Sequence, residues 1–187
     1  MAASSRRLLT AGAVAAAVLT ACTSVEPSPA PPTATPVRSI SETPSPTPNL
    51  TRADADGCPV TQPTTAPPEM RERLFGSGSA HGNDDLWVGG LGEDGIMAID
   101  ERSVDTDGSI GTKLGWWRNV PGSVLISGRR LDSPAPPASG EGSDGYGNLG
   151  FQASGVHFPT EGCWEITGSI GESELTFVTF VFVQANS

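Results

Sequence analysis

The chain has 187 residues and is acidic, because 21 Asp and Glu side chains oppose 11 Lys and Arg side chains and leave a net charge of −10. This balance excludes a dedicated nucleic-acid binder, since phosphates require a basic surface. It also argues against a folded part that lies flat on anionic lipid. After the first residues, no stretch is long and apolar enough to predict a transmembrane helix.

The first 21 residues have the organisation of a bacterial export signal. Arg6 and Arg7 precede an apolar run from Leu8 to Leu19, which is too short to span a membrane as a helix. The run ends in Leu-Thr-Ala-Cys, which resembles the lipobox of bacterial lipoproteins. The resemblance implies that residues 1–21 are a lipoprotein signal peptide and that Cys22 is the lipidated first residue, carrying fatty acids such as palmitate. The alternative is an ordinary secretory signal with a chance cysteine.

Two export routes stay open. The Arg6-Arg7 pair also resembles a twin-arginine signal, but Leu9 stands where Phe is usual and no Lys follows. Acyl chains contribute about 0.8 kcal/mol per buried CH2, so a lipidated Cys22 predicts stable anchoring to the cell membrane on its extracytoplasmic face. Removal of the signal leaves nine basic residues against 21 acidic ones, a net charge of −12 that favours solubility.

Residues 22–57 are predicted to be a disordered linker. They are rich in Pro, Ser and Thr and nearly lack large apolar side chains, so they cannot bury enough surface to fold. In polyproline form, about 35 residues at roughly 3 Å each would reach on the order of 100 Å. We therefore predict a spacer between the membrane and the folded part, and its Thr/Pro-rich composition makes O-glycosylation a hypothesis.

Residues 58–187 are predicted to form one domain, closed by a disulfide. If Cys22 is lipidated, Cys58 and Cys163 remain as an even pair in an oxidising compartment. Their bridge would close a loop of about a hundred residues, which in the chain-entropy model stabilises by roughly 4–5 kcal/mol. A reactive thiol pair or a metal site is less supported, since there is no Cys-x-x-Cys and no histidine at ligand spacing.

Short strand-like segments separated by turns predict an all-β domain, an immunoglobulin-like antiparallel sandwich of about seven strands. Asp94-Gly95 is read as the turn of a hairpin between the first two strands, and residues 133–148 as a loop. The segments are 85–90, 95–99, 113–118, 123–131, 149–158, 163–170 and 175–183.

The last two segments predict the C-terminal hairpin in more detail. Alternation puts Trp164, Ile166 and Ile170 on the core face and Cys163 on the opposite face, directed toward Cys58. The final strand is apolar on both faces, so its second row needs a cover. We expect the Pro/Thr arm after Cys58, or a loop, to cover that row, which comprises Val178, Phe180 and Phe182.

Candidate binding residues come from two segments. Trp116 and Trp117 must face opposite ways on a strand, so one should enter the core while the other, beside Arg118, is available to stack a sugar or a partner; the alternative is burial under a loop. Arg129 and Arg130 are unusual in so acidic a domain. They could bind an anion, but structural pairing, for instance with the nearby Asp132, is favoured.

No catalytic, metal or cofactor site is predicted. Asp105-Thr106-Asp107-Gly108 resembles the start of a calcium loop but lacks the later ligands, so a turn is favoured. His81 and His157 are the only histidines, and no Gly-x-Ser-x-Gly nucleophile elbow is present. An enzyme is therefore disfavoured rather than excluded.

Taken together, GWWR, GRRLDSPAPP, GYGNLGFQASGVHFPTEGCWEITG and LTFVTFVFV resemble uncharacterised bacterial secreted lipoproteins with a C-terminal immunoglobulin-like domain. The resemblance implies a β-sandwich and brings no activity. We expect a lipid-anchored extracytoplasmic module that binds an envelope protein or a glycan. The alternatives are a domain that acts on cell-wall glycan and a purely structural envelope spacer.

Overall fold

A computed structural model describes residues 50–71, 74 and 79–184. The predicted signal peptide, the lipidated Cys22 and the linker up to residue 49 lie outside the described residues. In the part of the chain that is described, no helix has the length and apolarity needed to cross a membrane.

Ten β-strands, one helical turn and two 3-10 helices make up the described chain. The helical turn is α1, Pro68–Arg71, and the 3-10 helices are Arg52–Gly57 and Glu101–Ser103. The strands are β1 (Thr64–Thr65), β2 (Ser79–Gly82), β3 (Leu86–Gly89), β4 (Met97–Asp100), β5 (Ile110–Arg118), β6 (Leu125–Arg130), β7 (Ala138–Gly142), β8 (Gly150–Phe158), β9 (Gly162–Ile170) and β10 (Ser173–Gln184).

The strands form one curled sheet in the order β1-β2-β3-β5-β8-β7-β6-β9-β10-β4. Neighbours are antiparallel except β10 and β4, which are parallel. The sheet turns back on itself, because β3 lies beside β10, and Ser173 Oγ at the start of β10 donates to Asp85 Oδ2 at 2.6 Å. The all-β prediction is confirmed. The division into two immunoglobulin-type sheets stays a prediction, since the strands are joined in one continuous order.

Two details of the predicted strand layout are wrong. β7 lies inside the segment predicted as a loop; its Gly140 and Gly142 face closely packed neighbours and carry no apolar signal. The turn at Asp94-Gly95 exists, with Gly95 N donating to Gly92 O at 2.9 Å, but it does not join a hairpin. Instead β3 pairs with β2 and β5, while β4 pairs with the distant β10, and local alternation cannot reveal such partners.

The inner face of the curled sheet encloses the main hydrophobic core. Trp116 of β5 lies opposite β9, where a side chain at Gly168 would approach its ring to 2.2 Å. Phe158 and Trp164 pack edge to face with ring centroids 5.6 Å apart. The predicted inward row of β9 is confirmed, because Trp164, Ile166 and Ile170 are all buried in this core.

The predicted disulfide is also confirmed. Cys58 and Cys163 are bonded, with Cα atoms 5.5 Å apart and a sequence separation of 105. Cys163 leaves the outer face of β9, opposite to Trp164. There it joins a second cluster with Phe180 and Phe182, the row that alternation left uncovered.

The segment that covers this second row begins before Cys58. The 3-10 helix Arg52–Gly57 buries Ala55 against the cluster, and Thr61 exchanges hydrogen bonds with Val178 at 2.9 and 3.0 Å. The predicted cover by the tethered arm is therefore confirmed. The predicted linker boundary after residue 57 moves toward the N-terminus, because residues 50–57 pack on the domain.

A buried carboxylate fixes the start of this arm. Glu161 Oε2 accepts a hydrogen bond from Leu50 N at 3.2 Å, and Oε1 accepts one from Val183 N at 2.6 Å. Glu161 is buried at the turn before β9. One side chain thus joins the first described residue to the end of the last strand.

Candidate binding surface

Trp116 belongs to the core rather than to a surface. Its ring is fully buried, and its Nε1 donates to Ser154 Oγ at 3.1 Å. The alternation of β5 predicts that one of the two adjacent tryptophans is buried, and Trp116 is the one.

Trp117 points to the outer face of β5 and is half-buried. It packs beside a small cluster that includes Met70 and Leu74, and its Nε1 donates to Asn119 Oδ1 at 3.1 Å. This arrangement is the covered alternative raised by the sequence, although part of the ring stays exposed.

Arg118 is the unexpected member of the group, because its side chain is only 1% exposed. Burial lowers the pKa of its guanidinium below the ordinary value. The guanidinium donates to the Gly122 carbonyl of one loop. It also donates to four carbonyls in and directly after a second loop, at distances of 3.1 to 3.4 Å: Tyr146, Gly147, Leu149 and Gly150. A buried cation that binds only carbonyls positions those loops.

Arg129 and Arg130 form ion pairs on β6. Arg129 Nε lies 2.7 Å from Glu165 Oε1, and Arg130 Nε lies 2.6 Å from Asp132 Oδ1. The pKa of Asp132 is lowered: burial opposes ionisation, but hydrogen bonds from Arg130 and from the Cys163 backbone together outweigh it. Because β8 and β7 separate β5 from β6 in the sheet, the candidate residues on the two strands do not form one surface.

A second buried polar side chain joins the same two loops. Gln152 is buried beneath them, and its Oε1 accepts from Val124 N at 3.1 Å. Its Nε2 donates to Ser123 Oγ at 2.8 Å and to Ser143 O at 3.1 Å. We call loops 119–124 and 143–149, together with Leu125, the loop end of the domain.

The loop end carries the exposed large apolar side chains. Among the described residues these are Leu125, Tyr146 and Leu149, which are 61%, 40% and 57% exposed. Tyr146 rests edge-on against Phe151, with centroids 5.5 Å apart. Sequence reasoning missed this cluster because it read residues 133–148 as a featureless loop; the composition Tyr, Asn, Ser and Gly, which is typical of binding loops, was the available signal.

A polar groove runs from the loop end along the outer face of β7 and β8. Gly155 forms a bare floor, since no atom lies within 4 Å of a Cβ placed there. Apart from His157, the polar side chains that line the groove carry hydroxyl or carboxylate groups; they include Ser123, Ser139, Glu141, Asp144 and, at the far end, Asp107. Hydrogen bonds from the Ser109 backbone and hydroxyl lower the pKa of Asp107, and nearby His157 lowers it slightly further.

His81 lies apart from the groove. It is 4% exposed, stacks on Phe177 with centroids 5.0 Å apart, and has a buried Nε2 without a hydrogen-bond partner among the described residues. Burial lowers its pKa below 6.5. In the described ranges, no three His, Cys, Asp or Glu side chains are grouped to hold a metal ion.

Comparison with known proteins gives no further guide. No protein-family model, curated protein or solved structure matches the chain.

Proposed function

We propose that the protein is a lipid-anchored binding module on the extracytoplasmic face of the cell membrane, and that it contacts a partner through the loop end. The observation that carries this proposal is the exposed trio Leu125, Tyr146 and Leu149 on loops fixed by buried polar side chains. A tyrosine on a rigid backbone is a frequent anchor of an interface, and an exposed apolar cluster around it is typical of an interaction site.

The free-energy cost of burying two polar side chains beneath the loops supports a binding role for the loops. The buried Arg118 guanidinium and Gln152 amide require hydrogen bonds that apolar side chains in their place would not need. Those bonds go to the backbone of the loops. Loops ordered before binding lose less conformational entropy when a partner arrives, and this improves affinity.

The position of the arm fits the same proposal. Leu50 binds Glu161 just beyond the C-terminal end of β8, whereas loop 143–149 leads into the N-terminal end of that strand. A strand of nine residues is about 27 Å long. A tether that enters at Glu161 therefore leaves the loop end on the far side of the domain from its attachment.

The test uses photo-crosslinking in cells that express the full chain with its native Cys22. A photoreactive amino acid replaces Tyr146 or Leu149, and the control position is Ser133, which is exposed beyond the C-terminal end of β6, whereas Leu125 lies at the N-terminal end of that strand. We expect one discrete adduct from positions 146 and 149 and none from 133. The adduct should weaken in an Arg118→Lys background, since an ammonium cannot reach the same set of carbonyls. Equal labelling at 133, or no adduct from either loop position, would refute the loop end as the interface.

Anchoring is tested separately. Metabolic labelling with a palmitate analogue should mark the wild type but not Cys22→Ser. A wild-type protein that partitions with the soluble fraction while Cys22 is intact would contradict the anchor and leave the crosslinking result standing on its own.

The polar groove favours a second candidate, binding of cell-wall glycan. Its serine hydroxyls and carboxylates match sugar hydroxyls, and β8 is paired on both sides, so an added peptide strand cannot use this floor. Gly155→Trp should fill the groove without disturbing the core. If the glycan candidate holds, this variant loses sedimentation with insoluble peptidoglycan. The matched control Thr176→Trp, at an exposed position on β10 three strands away from β7, retains it.

A further inference from the structure

Four Asp-Gly steps lie in the described chain, at Asp56, Asp94, Asp107 and Asp144. Such a step can rearrange without any other reagent. The glycine backbone nitrogen attacks Cγ of the protonated aspartic acid and water leaves, which closes a succinimide ring. Water then reopens the ring at either carbonyl, giving aspartate again or isoaspartate, whose backbone runs through the side-chain carbon. The reaction needs a free carboxyl group and a nitrogen free to turn toward it.

At Asp94 both groups are engaged. Gly95 N donates to Gly92 O at 2.9 Å, and Asp94 Oδ1 accepts from Ile96 N at 3.2 Å. The carboxylate also forms an ion pair with Arg52.

Asp107 is engaged in the same way. Gly108 N donates to Asp105 O at 2.9 Å. Asp107 Oδ1 accepts from Ser109 N at 3.0 Å and from Ser109 Oγ at 2.7 Å. These bonds hold the carboxylate ionised, which disfavours loss of water from it.

Asp56 and Gly57 close a 3-10 helix, Arg52–Gly57. A helical backbone directs each N–H along the helix axis rather than toward the preceding side chain. Nitrogen attack there requires unwinding of the helix end, which packs against the second hydrophobic cluster through Ala55.

Asp144 differs from the other three. Within the described ranges, neither its carboxylate nor the Gly145 N–H has a hydrogen-bond partner. Asp144 is exposed, and Gly145 has φ of +87°, a conformation in which glycine imposes no steric restriction. On either side the backbone is fixed: Ser143 O accepts from Gln152, and Tyr146 O accepts from Arg118.

We propose that Asp144-Gly145 is a site of spontaneous succinimide and isoaspartate formation, and that it reacts ahead of the other Asp-Gly steps of the described chain. The reaction at Asp94 or Asp107 must first break at least two hydrogen bonds that Asp144-Gly145 lacks. Breaking two such bonds slows the reaction roughly thirtyfold.

The consequence for binding rests on the proposed function of the loop end. Isoaspartate inserts one extra backbone carbon between Ser143 and Tyr146, two points that buried side chains hold in place. Tyr146 must then shift relative to Leu149. Ageing of the protein would lower binding through the loop end while the core stays folded.

The test is peptide mapping of the full chain after incubation at mildly acidic pH. Once the Cys58–Cys163 disulfide has been reduced and alkylated, trypsin separates the steps, because Arg52, Arg71, Arg73, Arg102, Lys113 and Arg130 divide the chain into fragments 53–71, 74–102, 103–113 and 131–187. Isoaspartate is read by enzymatic methylation of each fragment, and the succinimide by the loss of one water. A parallel sample in urea gives the intrinsic rate of each step.

In the folded protein we expect fragment 131–187 to accumulate isoaspartate about thirtyfold faster than fragments 74–102 and 103–113, and also faster than fragment 53–71, and the rates to converge in urea. Asp144→Glu should abolish the signal in fragment 131–187, which separates Asp144 from Asp132. Equal folded-state rates, or a signal that survives Asp144→Glu, would overturn the proposal. Either result is independent of whether a partner binds the loop end.

Discussion

The buried His81 gives the sharpest stability prediction. Its Nε2 has no hydrogen-bond partner among the described residues, and its ring stacks on Phe177 at an interplanar angle of 20°. In His81→Phe an apolar ring of similar shape keeps the stack and removes the unsatisfied nitrogen. The substitution therefore removes the unsatisfied Nε2, together with Nδ1, and leaves the packing of the ring on Phe177 in place.

The size of the effect follows from that atom. Leaving a buried donor or acceptor unpaired costs about 1–3 kcal/mol. The slightly larger phenyl ring offsets part of the gain, since overpacking a dense interior is itself unfavourable. We expect His81→Phe to raise the free energy of unfolding at neutral pH by about 1 kcal/mol or more.

The pH dependence supplies a second, independent signature. Burial lowers the pKa of folded His81 below 6.5, so between that lowered pKa and about 6.5 the unfolded chain binds the proton and the folded chain does not. Stability is then complete above pH 6.5 and falls as the pH drops toward the folded pKa, by up to about 1.4 kcal/mol per pH unit. The lowered carboxyl pKa values of Asp107 and Asp132 act only below about 3.8, outside this window.

Urea unfolding at a series of pH values between neutral and mildly acidic measures both effects. His81→Phe should be more stable than the wild type and should lose the slope. His157→Gln, at the exposed histidine, keeps His81 and should therefore retain the wild-type slope. A His81→Phe variant that is less stable at neutral pH and still loses stability as steeply on acidification would refute the reasoning.

Three further predictions concern the supports of the fold. Replacing both Cys58 and Cys163 by Ser should lower the free energy of unfolding by about 4–5 kcal/mol in urea titrations, since the bridge closes a separation of 105 residues; a loss below about 1 kcal/mol would contradict this. Gly168→Ala should lower the free energy of unfolding by about 1–3 kcal/mol in the same assay, because the new Cβ would lie 2.2 Å from the Trp116 ring. Its control, Gly155→Ala, faces open space and should change the free energy of unfolding by no more than about 0.5 kcal/mol. Glu161→Gln should free the start of the arm, because an amide has one acceptor oxygen for the two N–H groups of Leu50 and Val183; hydrogen exchange at these two amides should speed up, and unchanged protection of both would argue against the clamp.

The sequence predicts the C-terminal half of the fold well, because period-two alternation there is strong. The inward row of Trp164, Ile166 and Ile170 and the second row with Phe180 and Phe182 follow from it, whereas the disulfide follows from the even pair of cysteines in an oxidising compartment. The sequence does not predict β7, because two of its three inward positions are glycines, which pack closely but carry no hydrophobic signal. The pairing of β4 with β10 was missed because partner choice between distant strands depends on the whole sheet.

The candidate site was only partly accessible from the sequence. The sequence marks Trp116, Trp117 and Arg118 as candidate binding residues, but their role depends on which side chains turn inward. Arg118 turns inward and donates to the adjacent loop 119–124 and to loop 143–149, whose carbonyls lie 28 to 31 residues further along the chain. This contact holds the backbone of the exposed Tyr146 and Leu149 in place, and no local sequence pattern predicts a contact between such distant residues.

The bridge between Cys58 and Cys163 also determines how the domain responds to mechanical tension. A pull applied through the N-terminal arm first loads the Leu50–Glu161 contact and then the short helix Arg52–Gly57. Beyond Cys58 the load passes through a covalent bond into β9, which is paired on both sides in the sheet. When the opposing force acts on the chain after Cys163, the segment between the two cysteines carries no tension. Strands β1 to β8 and the loop end lie in that segment, so they are not pulled out of the sheet, whereas in a reduced chain the same force would unravel them in turn from the N-terminus.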